Sequence, residues 1–152
     1  MKFKHLSDKF FEDYPPEKYP EMMTKENRPY TQVITDVNGL KFAIPLRSDI
    51  SHGADVLWTN KSLKHGLDFT KAVLILDDNY LSNERVFIRD NEHRHLLGKE
   101  QRVKEKMNKC IENYKKAKAN IDKKHNAEYC RFSTLQYFED YIYTSNNNTK
   151  DT

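Results

Sequence analysis

Asn38-Gly39 sits between two β-rich runs, Thr31–Val37 and Leu40–Pro45, and no other feature of this 152-residue chain restricts its fold as much. Both residues of a two-residue hairpin turn need positive φ, which Asn tolerates and Gly adopts at no steric cost. The pair therefore predicts an antiparallel hairpin whose first strand begins where its second ends. Pro45 is expected to close the second strand and open a loop over Leu46–Gly53.

Short apolar runs predict the other strands. Met1–Leu6 reads as an edge strand, Ala54–Trp58 and Arg85–Arg89 as short strands, and Lys71–Leu76 as a buried one. Thr59–Gly66 reads as a polar loop and Asp77–Asn79 as a turn. Ser7 and Asp8 can cap a short helix to about Tyr14, where Pro15-Pro16 stops it. Near Asp90 the pattern changes. Leu96, Val103, Met107, Cys110, Tyr114, Ala117 and Ile121 recur on one helical face. One long helix is expected from about Asn91 to about Ile121, with Gly98 a weak point near its start. Ser133 to Gln136 matches a capping box and opens a further helix to about Tyr143. The expectation is α+β: a small, mostly antiparallel sheet with helices packed on it, in one domain over residues 1–144. The Asn/Thr-rich run 145–152 reads as a disordered tail.

Composition removes several function classes. With 37% hydrophobic residues the chain can bury a core, so its 32% charged residues do not signal disorder. The four glycines form no phosphate-binding loop, and neither a G-x-S-x-G elbow nor H-E-x-x-H is present. The two cysteines, Cys110 and Cys130, are far apart, so no zinc site is expected, and no other metal or cofactor. Separated thiols in a Lys/Glu-rich chain predict a reducing, cytoplasmic setting. Met1–Leu6 has no signal-peptide character, and no run approaches the roughly 20 apolar residues of a membrane span. A net charge of +3 permits a polyanionic partner without requiring one.

The hairpin brings two flanking segments to one end of the sheet: Arg28-Pro-Tyr30 before it and Arg47 to His52 after it. Guanidinium, hydroxyl and imidazole groups together suit RNA self-cleavage, in which the 2′-OH attacks the adjacent phosphorus. Arg47 and Arg28 can hold the charged phosphoryl oxygens, Ser48 can donate to them, and His52 can move a proton. On pattern alone, a solvated or strand-capping loop is the default role of such residues. His93 and His95 are two apart, so they cannot form an i, i+4 metal pair. The long helix carries Lys99, Arg102, Lys106 and Lys109, with Lys115, Lys116, Lys118, Lys123 and Lys124 beyond. This stripe is either a solvated face with i, i+4 ion pairs or a phosphate-tracking surface. Lys41 and Tyr30 are further candidate RNA contacts. Among Tyr129, Phe132, Tyr137, Phe138, Tyr141 and Tyr143, most should be core and one or two could stack on bases.

The runs N-R-P-Y-T-Q-V-I-T-D-V-N-G-L-K-F-A-I-P-L-R-S and H-G-L-D-F-T-K-A-V-L-I resemble the toxins of type III toxin–antitoxin systems, most of all the TenpN branch related to ToxN, AbiQ and CptN. L-L-G-K-E near Leu96 and F-S-T-L-Q-Y-F near Phe132 are weaker echoes. The resemblance spans Met1 to about Tyr141. It implies a core like that of Kid and MazF, a twisted antiparallel sheet around a small SH3-like barrel. It implies sequence-specific RNA cleavage without a metal, leaving 2′,3′-cyclic phosphate and 5′-OH ends. It also implies a pseudoknotted repeat RNA antitoxin that the toxin processes, a closed toxin–RNA assembly, and a role in phage defence or plasmid maintenance. Arg28 occupies the place of the family's basic residue before the hairpin, and Ser48 that of the serine after it. Arg47 replaces a Thr, Asp49 and Ile50 replace Pro and Lys, and Lys71 aligns with a Lys, which makes it a candidate RNA phosphate contact. The alternative expectation is a non-catalytic RNA-binding module on an SH3-like core.

Overall fold

The hairpin forms around Asn38 and Gly39, whose φ values are 52° and 79°. The computed structural model describes residues 1–24 and 30–150, with 145–150 by backbone alone. Strands β2 (Gln32–Val37) and β3 (Leu40–Arg47) pair in unbroken register from Val37↔Leu40 to Gln32↔Pro45. β1 (Lys2–Lys4) adds to the outer edge of β2.

Pro45 does not end β3. The strand runs on to Arg47 and changes partner, pairing Leu46↔Leu67 and Arg47↔Gly66 with β5 (His65–Asp68). Alternate residues of an antiparallel strand donate to opposite sides. Leu46 donates to the Thr31 carbonyl at 2.8 Å, so the Pro45 nitrogen points away from β2. There it lies between the short β6 (Val73–Leu74), which pairs with Phe42–Ala43, and the start of the β5 ladder. No bond to β2 is lost. β4 (Val56–Asn60) completes a six-stranded sheet of order β1-β2-β3-β5-β4, with β6 off that path on β3. Every pairing is antiparallel and the sheet is not closed.

Several expectations need correction. The stretch Thr59–Gly66 is half strand: Thr59 and Asn60 end β4, His65 and Gly66 open β5, and only residues 61–64 form a tight turn, with Lys64 at φ 59°. The expected strand over Lys71–Leu76 shrinks to β6, because Asp68 caps a 3-10 turn at Phe69–Lys71. Arg85–Arg89 joins no ladder, and Phe87 is 79% exposed.

Ser7 caps α1 (Asp8–Asp13), its hydroxyl accepting the Phe10 N–H at 3.4 Å. The single long helix is two, α2 (Asp90–Leu96) and α3 (Glu100–Ala119). They separate at Gly98, whose φ of +77° suits a left-handed helix stop. α3 buries Val103, Met107, Cys110, Tyr114 and Ala117, but Ile121 lies past its end and is exposed. A helix absent from the sequence reading, α4 (Lys124–Phe132), buries only Cys130, too little apolar periodicity to show. Ser133 caps a 3-10 turn at Thr134–Tyr137 rather than a helix; Gln136 turns to the Arg131 and Ser133 carbonyls instead of closing a capping box. α5 (Glu139–Lys150) passes the expected end at Tyr143 and enters the Asn/Thr run.

The α3 stripe packs with Val33, Phe42, Ile44, Leu67 and Phe69 of the sheet side in one core. Each fully buried side chain of that size contributes about 1.5–3 kcal/mol before entropy. No helix among the described residues is long and apolar enough to cross a membrane.

Gly66 is the tightest backbone approach: a Cβ there would meet the Leu57 carbonyl oxygen at 2.6 Å. Gly66→Ala should lower stability by about 1–3 kcal/mol in urea unfolding. Gly53→Ala, in open space, should change it by less than about 0.5 kcal/mol. Equal effects would contradict the β4–β5 approach. Both thiols are buried and free, and burial pushes each above its ordinary value. They should therefore resist a disulfide reagent at pH 8 until the chain is unfolded, whereas immediate reaction of either would contradict this packing.

Candidate functional site

The β3–β5 pairing brings Arg47 beside Asp68, and Asp68 organises the site. Asp68 has no exposed surface, yet each of its oxygens receives two partners. Oδ1 accepts the Thr70 N–H at 3.0 Å and the Thr70 hydroxyl at 2.6 Å. Oδ2 accepts Nη1 of Arg47 at 2.5 Å and faces Nε2 of His52 at 3.2 Å. A buried carboxylate is tolerated only when charges and hydrogen bonds satisfy it in this way. The Thr70 contacts arise locally, as an Asx turn two residues long. The other two require the tertiary fold.

His52 is anchored at both ring nitrogens, because Nδ1 lies 3.2 Å from the Ala54 carbonyl. Both acceptors can be served together only when both nitrogens carry hydrogen. Arg47 retains donors beyond Asp68: its Nε is buried with no hydrogen-bond partner among the described residues.

Arg47, Ser51, His52, Thr70, Tyr129 and Phe132 line part of a cavity of about 390 Å³. Cationic and hydroxylic groups thus meet an aromatic rim. The side chains of Arg47 and His52 remain 23% and 35% exposed, so both are open to a ligand. Phe132 is half exposed, with the Arg131 guanidinium 4.8 Å from its ring centre. Across the cavity the Tyr129 hydroxyl donates to Asp55. Burial, then the neighbouring Cys110 and Asp55, holds the Tyr129 phenol well above the ordinary tyrosine range. Tyr129 is therefore a neutral wall.

The fold distributes the expected site residues unevenly. Arg47 and His52 come together. Ser48 is exposed and outside the cavity lining, whereas Ser51 belongs to it. Arg28 lies outside the described residues. Tyr30 is half-buried on the segment beside Arg47, since Thr31 accepts the Leu46 N–H. Lys71 lines the cavity but spends its ammonium on the Glu21 carboxylate at 3.0 Å and on the Glu21 and Phe132 carbonyls at 3.2 and 3.1 Å. It ties the N-terminal segment to the end of α4. Lys41 pairs with Asp78 at 3.0 Å, and six strand residues place it about 20 Å along β3 from Arg47. α3 reaches the site at Cys110, whose thiol lies 4.0 Å from the Tyr129 hydroxyl. Lys99 and Arg102 are at its far end, about 12–16 Å along the axis. Lys106 is half-buried, and Lys109 faces Glu112 at 3.9 Å.

Asp68 and Thr70 did not emerge as site residues from the sequence, and Tyr129 did so only as one of six aromatics of which one or two could stack on bases. Asp68 had one local signal, a carboxylate two residues before Thr70 at a strand end. Among the described residues no three His, Cys, Asp or Glu gather to hold a metal ion. No protein-family model matches the chain, and no curated protein or solved structure matches it.

Removing the hub should be costly, because it strands Arg47 and His52. Asp68→Ala should lose about 3–5 kcal/mol in urea unfolding, and Thr70→Val about 1 kcal/mol. Near-wild-type stability of Asp68→Ala would show that the carboxylate does not organise these segments.

Proposed function

We propose that the protein is an endoribonuclease that cleaves RNA by attack of the substrate's own 2′-OH. The observation that carries this reading is the anchoring of Arg47 and His52 on one oxygen of a buried carboxylate, at the wall of an open cavity. A cation held in place this way needs little reorganisation as charge develops on phosphorus.

In the proposed reaction the 2′ oxygen bonds to phosphorus and the P–O5′ bond breaks. The 2′-OH proton goes to a base and a proton is supplied to O5′, leaving 2′,3′-cyclic phosphate and 5′-OH ends. Arg47 holds the non-bridging oxygens, and Asp68, itself fixed by Thr70, holds Arg47. His52 transfers a proton once a substrate oxygen replaces the Ala54 carbonyl at Nδ1. Because the nucleophile belongs to the substrate, these groups suffice without a metal. Phe132 can stack on a base.

The toxin reading extends this proposal: a cytoplasmic toxin of a type III system, cutting messenger RNA and restrained by a pseudoknotted RNA antitoxin that it processes, within a closed toxin–RNA assembly. The change of partner along β3, from β2 to β5 across Pro45, supports an SH3-like core similar to Kid and MazF. One observation favours binding without cleavage: both His52 nitrogens already face protein acceptors.

Purified protein in EDTA should cut total RNA and leave 5′-OH ends. Arg47→Ala and His52→Ala should each slow cleavage about 10²–10³-fold. Arg47→Lys should also be slow, since an ammonium lacks the planar fork. RNA binding without cleavage by folded wild type would select the binding-module reading.

A further inference from the structure

A second cavity, of about 460 Å³, opens where the end of α3 meets the start of α4. It shares Ala54 and Tyr129 with the Arg47 cavity, so Tyr129 is a common wall. Asn113, Lys116 and Ala117 line it from positions i, i+3 and i+4, a single face of α3, and Asn120 joins them from the C-cap of that helix. Lys123 and His125 face them from the α3–α4 junction.

Its charge is unbalanced. Like most lysines of the chain, Lys116 and Lys123 have no ion-pair partner among the described residues; what distinguishes them is that both line one cavity. The one carboxylate in the lining, Asp55, accepts the Tyr129 hydroxyl. Asn120 and Asn126 donate to the Lys116 and Asn120 carbonyls, which stiffens the junction. Asn113 keeps its amide free among the described residues. The volume lies within the roughly 300–1,000 Å³ of ligand sites.

We infer that this cavity binds a phosphodiester of single-stranded RNA flanking the one held at Arg47, with Lys116 and Lys123 as its cations. The inference rests on the RNA reading above and gives that reading a direction. The strand runs from the Arg47 cavity across Tyr129 and along the end of α3, not along its Lys99–Lys109 half. A chain with a repeated negative charge suits two adjoining cationic cavities better than a single small anion does.

The test is the salt dependence of binding to a short 2′-O-methylated single-stranded RNA, which binds but cannot be cut, read by fluorescence anisotropy. Lys116→Gln/Lys123→Gln should bind about tenfold more weakly at physiological salt. Its slope of log affinity against log salt should be shallower by about 1.4, or 0.7 for each lost phosphate contact. Both side chains are exposed, so the melting temperature should not move. Lys2→Gln/Lys104→Gln, with the same charge loss on other exposed positions, should leave the slope close to wild type. Wild-type binding with an unchanged slope in the first variant, or an equal loss in the second, overturns the inference. Failure of the wild type to bind RNA overturns the RNA reading itself.

Discussion

A carboxylate removed from water must be met on every side, and Asp68 shows what that demands. Its partners come from the end of β3, the loop after it and the turn that follows β5. Leaving any of them out would bury an uncompensated charge, at a cost comparable to a large fraction of a small domain's net stability. The end of β3, the His52 loop and the Phe69–Lys71 turn are therefore not independent. A substitution that displaces one should loosen the others.

The helical layer divides along α3. Its buried stripe from Val103 to Ala117 covers the sheet. Its last turns, with α4, form the wall that carries Tyr129 and Phe132. Two contacts hold that wall. Lys71 joins the Glu21 segment to the Phe132 carbonyl, and Thr134 donates to the Thr70 and Ala72 carbonyls. The residues that line the Arg47 cavity thus sit on strand ends and helix ends braced from behind, which favours geometry that is set before a ligand arrives.

Charge is arranged more tellingly than the net value of +3 suggests. Among the described residues, Lys9, Lys41, Lys71, Lys109 and Lys118 are spent on intramolecular pairs. Arg47 is held by a carboxylate yet retains donors, and Lys116 and Lys123, around a neighbouring cavity, have no ion-pair partner among the described residues. A sum over the chain cannot separate these states, because pairing depends on which carboxylates the fold brings within reach.

Features set by nearest neighbours could be read from the sequence. Asn38-Gly39 determined the hairpin, Gly98 marked the helix break as a weak point, and the α3 apolar stripe matched its buried face. Arg47 and His52 lie five positions apart in one segment, so their nearness was legible in the chain itself. Features set by distant partners could not. β3 runs through Pro45 because β5, some twenty residues on, receives its end. β5 itself is only four residues, His65–Asp68, with no alternating pattern to announce it. α4 buries one side chain. Asp68 looks like any polar residue at a strand end until Arg47 and His52 arrive. Turn chemistry and helix periodicity act over a few residues and are written in them. The burial of a carboxylate, the wall supplied by Tyr129 and the adjacency of two cavities exist only once segments up to 82 positions apart, Arg47 to Tyr129, have packed together.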